Sequence, residues 1–393
     1  KELVRDGYRA GAMGLSTDLN LIDRDFDGSK LPSLIAPMQE TEALIGVARE
    51  FNVGSIEVTP KALKIGPEEA EMLERWANIS GRPVYYNAII QEGHRPGAYK
   101  EALKLLEDMN TRVKVYGLGL THELDSLFNL IEYNLFDEMP AWNKALACPL
   151  EQRIANLANP EVRKTLQHDL DTYIERLWSG NWARLLVMES KDPSLVGKYV
   201  SQIAAERGQK PLDVFCDINV AERLETNFLI EDFANMDDDA NEEMLKHPYV
   251  IPGLSDGGAH TQFLSLGKYP TVLLAKWVRD KKVMSLEEAH WRLSHMAAAS
   301  IGMMGRGMLL PGMPADIIVY DLDKLAVTPE RPVYETIIGG GRRLVQRAVG
   351  YRAILVNGVV TFEDGECSNA KPGQIWRTSV GEAYNTALSK AAE

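Results

Sequence analysis

The residues best placed for chemistry lie in a short glycine-rich tract in the second half of the sequence. The tract, GLSDGGAH, spans residues 253–260, and the apolar run YVIPGL leads into it. Such a run predicts a buried strand, and α/β folds place reactive groups just beyond the carboxyl ends of parallel strands. Asp256 would stand at such an end. Ser255 and Gly257 beside it are predicted substrate contacts, because glycine lets a ligand approach the backbone closely.

A carboxylate at the position of Asp256 has two interpretations. It can hold a divalent metal and accept a proton from the metal-bound water that attacks an amide carbonyl. It can also merely cap the turn that follows. His260 follows the glycines after one intervening residue, Ala259. As a metal ligand, a substrate contact or an oxyanion stabiliser it would serve the same site. The residues alone leave these alternatives open.

Three more polar residues follow other predicted strands and are candidate substrate contacts. Asn87 lies in the strand PVYYNAII, and His122 lies in GLTHELDS at the end of another strand. Arg24 lies in the long loop after the strand AGAMGLSTDL, where its guanidinium could pair bidentately with a substrate carboxylate. A solvated loop for Arg24 and a packing role for His122 are the competing interpretations.

Composition favours a globular protein with a small-molecule partner. The 393 residues are 45% hydrophobic and 25% charged, which is ordinary for a chain that buries a sizeable core. The 56 acidic and 43 basic residues give a net charge of -13, which repels the phosphates of nucleic acids and anionic lipids. We therefore expect neither nucleic acid nor a membrane as a partner.

The cysteines and the opening residues predict a cytoplasmic location. The three cysteines, Cys148, Cys216 and Cys367, show no paired spacing and suggest neither a disulfide framework nor a cysteine zinc site. No apolar run reaches the roughly 18 to 20 residues of a membrane helix, and KELVRDGYRAGAMG lacks the apolar core of a signal peptide. This opening reads as the middle of a domain.

Helix and strand patterns alternate along most of the chain, which is typical of parallel βαβ units. The barrel part is predicted over residues 1–308, with an insertion at about 121–184 and with LLVMES as a resumed inner strand. About six inner strands can be counted, whereas a closed barrel needs eight. Residues 309–393 are predicted to form a separate β-rich part and a C-terminal tail, and Asn357-Gly358 predicts a hairpin turn within the β-rich part.

Four segments of the sequence resemble the D-aminoacylase (N-acyl-D-amino-acid deacylase) branch of the amidohydrolase superfamily. They are GAMGLSTDL at 11–19, GLSDGGAH, GRGMLLPGMPADIIVYDLD and LVNGVVTFEDGE. The resemblance implies an α/β fold, a TIM-like (β/α)8 barrel of which this chain is the C-terminal portion, with a small β-sandwich completed by the C-terminal strands. It also implies a divalent metal, zinc by preference, and makes Asp256 the catalytic and metal-binding aspartate after the eighth strand.

The sequence departs from this branch in two places. Its seven histidines include no His-x-His pair, so the primary metal ligands are expected in an N-terminal part, such as a separate fragment of the same enzyme. The strands SIEVTP and PVYYNAII lack the histidines that the branch carries there. Glu57 and Asn87 stand near those positions, which favours one metal ion over two.

The resemblance implies hydrolysis of a linear amide, such as an N-acyl amino acid or a related acyl amide. One alternative keeps the scaffold and changes the bond to a cyclic amide, an ester or a carbon-carbon bond. Another is a non-catalytic binding or scaffold subunit without its metal pair. The sequence leaves homo-oligomerisation open.

Overall fold

The structure is a computed structural model that describes residues 1–21, 23, 25, 29–61, 65–93, 95–131, 135–173, 178–257 and 260–378. Its strands are β1 (Gly14–Asp18), β2 (Ser55–Thr59), β3 (Val84–Ile89), β4 (Val115–Gly119), β5 (Leu124–Phe128), β6 (Leu185–Glu189), β7 (Asn227–Ala234), β8 (Val250–Pro252), β9 (Ile317–Tyr320), β10 (Ala326–Thr336), β11 (Arg342–Val349), β12 (Tyr351–Val356), β13 (Val359–Glu363) and β14 (Glu366–Cys367).

The α-helices are α1 (Glu2–Arg9), α2 (Pro32–Ile35), α3 (Met38–Ile45), α4 (Ala48–Phe51), α5 (Pro67–Ser80), α6 (Ala98–Asn110), α7 (Pro140–Leu146), α8 (Leu150–Ala158), α9 (Pro160–Thr172), α10 (Val200–Arg207), α11 (Pro211–Ala221), α12 (Asp238–Lys246), α13 (Tyr269–Val272), α14 (Leu286–His290) and α15 (Ala297–Ser300). Helical turns with π hydrogen bonding follow α13 and α14, over Leu273–Asp280 and Trp291–Met296. Within the described ranges, no helix combines the length and the apolarity needed to cross a membrane.

A parallel sheet with the strand order β1-β2-β3-β4-β8 is the centre of the fold. Its outer face packs against helices, because alternate strand residues such as Ile56 and Val58 are apolar and fully buried. Helix α5 supplies Leu73 and Trp76 to this contact. The opposite face carries Glu57 and its neighbours. The parallel α/β architecture predicted from the alternating pattern is confirmed for these five strands.

A smaller antiparallel sheet with the order β5-β7-β6 lies outside the parallel sheet. LLVMES forms a strand, as predicted, but its place is wrong: it is β6 and pairs with β7 in this second sheet. The parallel sheet therefore has five described strands, where about six were predicted. Around the antiparallel sheet packs an aromatic cluster, which comprises Phe128, Phe136, Trp142, Trp178, Trp182, Phe215 and Phe228.

The C-terminal part is β-rich, as predicted. Strands β10 and β11 form a long antiparallel hairpin, and β14, β13, β12 and β9 form a four-stranded sheet in that order. Asn357-Gly358 makes the turn between β12 and β13, and Asn357 has the left-handed φ of 48° that such turns require. One row of this sheet, Ile318, Ile354 and Phe362, is apolar and only partly covered.

Candidate active site

A cavity of about 200 Å³ opens where the carboxyl ends of the parallel strands meet. Asp18 ends β1, Thr59 ends β2, Asn87 lies near the end of β3, and Asp256 follows β8. The other polar residues of the wall are His260, Asn20 and Asp23. The geometry thus brings polar side chains from several strand ends together, because parallel strands deliver their ends to one rim.

The backbone of Asp256 is unusual for a residue other than glycine. Its φ is 43°, in the left-handed region that aspartate tolerates better than most residues. The carbonyl of Asp256 accepts a hydrogen bond from the His260 amide at 3.4 Å. Burial raises the pKa of the Asp256 carboxyl, and nearby His260 acts in the opposite direction. A half-buried carboxylate with a raised pKa accepts a proton more readily than an ordinary aspartate carboxylate does.

Asp18 is a member of the site that was not singled out from the sequence. Its Oδ1 accepts a hydrogen bond from the Asn20 amide at 2.7 Å, and its carboxyl also contacts that of Asp23. Burial raises the pKa of Asp18 to about 7, and Asp23 adds to this effect. In the sequence, Asp18 could have been recognised as a candidate site residue by its position at the end of a predicted strand.

Glu57 occupies the inner face of β2 and lies near Asp256. Burial raises the pKa of the Glu57 carboxyl, and the charge of Asp256 raises it further. Glu57 and Ser255 line a neighbouring cavity of about 370 Å³, which shares Leu254 with the first one. Ser255 therefore lies beside the main cavity, and its role as a substrate contact stays a prediction.

The remaining predicted contacts fall into different places. Gly257 is exposed, and its amide is 3.4 Å from the Ser255 hydroxyl. Arg24 lies outside the described residues. His122 is buried away from the cavity, with Nδ1 2.8 Å from the Glu123 carbonyl oxygen and Nε2 3.5 Å from that of Leu266. His122 is therefore not part of the cavity wall, and its role as a substrate contact stays a prediction.

The rest of the cavity wall is apolar. It comes largely from the antiparallel part of the chain and from the loop after β8, and it includes Leu120, Leu124, Phe233, Phe263, Leu264 and Leu266. A cleft with a polar rim and an apolar wall suits a small ligand that has one polar reacting group and an apolar substituent.

The described residues alone do not fit a metal centre. No three of their His, Cys, Asp and Glu side chains are grouped so as to hold one ion. Asp256, Asp18 and His260 share the cavity wall without forming such a group. A divalent metal generally needs more ligands than this arrangement supplies.

The family model described as "Amidohydrolase family" matches residues 1–362 of the chain. An uncharacterized protein of Mycobacterium tuberculosis is 27% identical over 435 residues, covering 100% of this chain and 68% of that protein. The D-aminoacylase of Alcaligenes xylosoxydans xylosoxydans is 28% identical over 188 residues, covering 47% of this chain and 34% of that enzyme.

Two solved structures share the fold. An N-acyl-D-glutamate deacylase from Bordetella bronchiseptica, complexed with zinc and a phosphonate inhibitor, has a TM-score of 0.58 at 21% identity and covers 96% of this chain and 65% of that one. A D-aminoacylase described with a binuclear metal centre has a TM-score of 0.56 at 20% identity, and the match covers 92% of this chain and 61% of that one. The chain thus spans less than two thirds of these structures. Because the family model covers most of its length, the chain belongs to the amidohydrolase family.

Proposed function

We propose that this protein hydrolyses a linear acyl amide, such as an N-acyl amino acid or a related compound, and that Asp256 handles the proton. The observation that carries the proposal is the position of Asp256 after β8, on the wall of the cavity that the strand ends enclose. Family membership supplies the reaction class.

The residues of this chain suggest a division of labour. The Asp256 carboxylate accepts a proton as water attacks the amide carbonyl, and later returns it to the nitrogen of the leaving amine. His260 and Asn87 line the same cavity and would orient the amide. The apolar wall that includes Leu124 and Phe233 receives the acyl chain and excludes water around it.

A divalent metal, zinc by preference, belongs to the proposal because relatives are described as metal enzymes. Asp256 would be its ligand from this chain. The other ligands would come from an N-terminal part of the same enzyme, which would also pair with the sheet edges to complete a barrel. Two features support this: β1 and β8 each have one partner in the described parallel sheet, and the β9-β12-β13 face is partly bare.

A substrate panel tests the proposed reaction. Purified protein, with and without added zinc, is given N-acetyl and longer N-acyl amino acids and neutral acyl amides, and the released amine is quantified. Elemental analysis of the same sample measures bound metal. Amine release from at least one acyl amide is expected. No release from any of them, in protein shown to contain metal, would contradict the proposed reaction and favour the cyclic-amide, ester or binding alternatives.

A further inference from the structure

The segment that follows Asp256 supplies much of the candidate site. Residues 260–266, here called the site loop, include His260, Phe263, Leu264 and Leu266, all of which line the cavity. Its own backbone bonds are few: the His260 carbonyl accepts from the Phe263 and Leu264 amides at 2.8 Å each. One turn of this kind fixes little, so the loop needs support from other elements.

Three successive carbonyls of the site loop each accept a hydrogen bond from a different strand. The Leu344 amide of β11 donates to the Thr261 carbonyl at 2.6 Å. The Tyr334 hydroxyl of β10 donates to the Gln262 carbonyl at 3.0 Å. On the other side, the Leu127 amide of β5 donates to the Phe263 carbonyl at 2.9 Å. The loop is therefore held between the β10–β11 hairpin and the antiparallel sheet.

The hairpin is itself anchored to that sheet. Leu344 is buried in a cluster with Leu127, Leu186 and Leu229, one residue from each of β5, β6 and β7. Arg342 lies over the Tyr334 ring, 4.0 Å from its centroid, and pairs with Glu189 of β6. Packed aromatic, ionic and apolar contacts of this kind give Tyr334 a defined orientation.

We infer that the β10–β11 hairpin positions the site loop, and that the hydrogen bond from the Tyr334 hydroxyl to the Gln262 carbonyl is part of this support. Tyr334 does not line the cavity, and its hydroxyl acts on the site through the Gln262 carbonyl and the loop. This inference rests on the proposed function for its effect on turnover, but its structural part stands on the hydrogen bonds alone. The glycine-rich tract GGGRR is then the turn that lets the hairpin reach the loop.

Tyr334→Phe tests the inference, because it removes the hydroxyl and keeps the ring. Tyr199→Phe is the matched control: Tyr199 packs against the same cluster, but its hydroxyl bonds to Glu231 and not to the loop. Hydrogen-deuterium exchange of peptides covering 257–266 is measured on both variants. Loss of one neutral hydrogen bond predicts roughly three- to tenfold faster exchange in Tyr334→Phe only.

Turnover supplies the second readout. Tyr334→Phe should lower kcat about three- to tenfold with KM changed less than twofold, since the loop would sample fewer productive positions. Equal exchange in the wild-type protein and Tyr334→Phe, or an equal effect in Tyr199→Phe, overturns the inference. If the wild-type protein hydrolyses no acyl amide, the proposed function fails, and the exchange result alone decides whether the hairpin positions the loop.

Discussion

At the scale of single residues, the site combines carboxyls whose surroundings disfavour ionisation. Asp256, Asp18 and Glu57 all have raised pKa values, and burial is the largest cause for each. Asp256 differs from the other two because it follows β8 in the glycine-rich tract and has a left-handed backbone. Backbone strain of this kind costs free energy and persists where surrounding structure holds it, which is common at functional sites.

Replacing Asp256 by asparagine should greatly slow turnover while leaving the fold intact. Asparagine keeps the shape and tolerates the left-handed backbone, but it accepts no proton at neutral pH. We expect kcat to fall by about 10²- to 10⁴-fold, with an unchanged circular dichroism spectrum. Asp364→Asn is the control, since Asp364 is exposed and also left-handed at φ 45°. Retained activity in Asp256→Asn would remove Asp256 from the mechanism.

Asp18 should make stability depend on pH. Its pKa is raised to about 7 in the folded state from an ordinary 3.8, so the folded protein binds this proton more tightly than the unfolded chain. The resulting stabilisation is complete below about pH 4 and is lost as the pH rises to about 7. Asparagine stays neutral at every pH. Between pH 5 and pH 8, the free energy of unfolding of Asp18→Asn should therefore rise by roughly 1 to 2 kcal/mol relative to that of the wild type, after allowance for solvent screening.

Thermal unfolding at pH 5 and pH 8 measures this difference. Asp171→Asn serves as the control, because Asp171 is exposed on α9. If the Tm difference between Asp18→Asn and wild type is the same at both pH values, the Asp18 carboxyl of the folded protein is already ionised at pH 5, which contradicts its raised pKa.

At the scale of elements, the site depends on how two sheets meet. The parallel sheet supplies the polar rim, and the antiparallel part supplies much of the apolar wall. His122 lies at this junction, after β4, and contacts the Leu266 carbonyl of the site loop. Burial lowers its pKa to about 4, so the ring is neutral at physiological pH.

His122 should make the junction sensitive to acid. Its pKa is about 6.5 in the unfolded chain and about 4 in the folded one, so its stabilising effect is full above pH 6.5 and is lost as the pH falls to 4. This loss amounts to about 3 kcal/mol. His122→Asn should be less stable than wild type at pH 7, with a smaller decline between pH 7 and pH 4.5 in urea unfolding. Parallel declines for both proteins would contradict this role.

Local pattern predicted the elements better than their pairing. The Ser285 hydroxyl accepts a hydrogen bond from the Glu288 amide at 3.1 Å, and Pro160 begins α9; serine and proline are residue types that favour the first positions of a helix. Strand β7 was missed because its run NFLIEDFA contains two acidic residues. Neither the antiparallel pairing of β6 nor the reach of the hairpin to the site loop could be predicted, since both depend on contacts between residues distant in sequence.

At the scale of the whole molecule, β-structure is left incompletely covered. Ile318 and Phe362 are about 40% exposed on the four-stranded sheet, and the outer edges of β1 and β8 have no strand partner among the described residues. Exposed apolar faces and sheet edges favour association with further chain.

The 393-residue chain on its own should therefore self-associate. Size-exclusion chromatography with light scattering is expected to show species larger than 43.8 kDa. Ile318→Lys combined with Phe362→Lys should reduce this association, whereas Val349→Lys, an exposed position on the hairpin, should not. A monodisperse monomer would show that the exposed face and edges are tolerated.

Charge is the second property of the whole molecule that bears on function. The chain carries a net charge of -13, and the described cavity wall includes Asp18, Asp23 and Asp256 but neither lysine nor arginine. Like charges repel, and a low-dielectric cavity strengthens the repulsion. At pH 8, above the raised pKa of Asp18, a neutral acyl amide should therefore be hydrolysed with a kcat/KM about tenfold above that of the matching amide with a free carboxylate.

Paired substrates that differ only in an amide or carboxylate terminus test this preference. The gap should narrow at high ionic strength, because salt screens the repulsion. A preference for the substrate with the carboxylate would contradict this prediction and would indicate a cationic side chain outside the described wall. Arg24→Ala would then test whether that side chain is Arg24. Loss of the preference in the variant would assign Arg24 to the substrate carboxylate, the role that its loop position suggests.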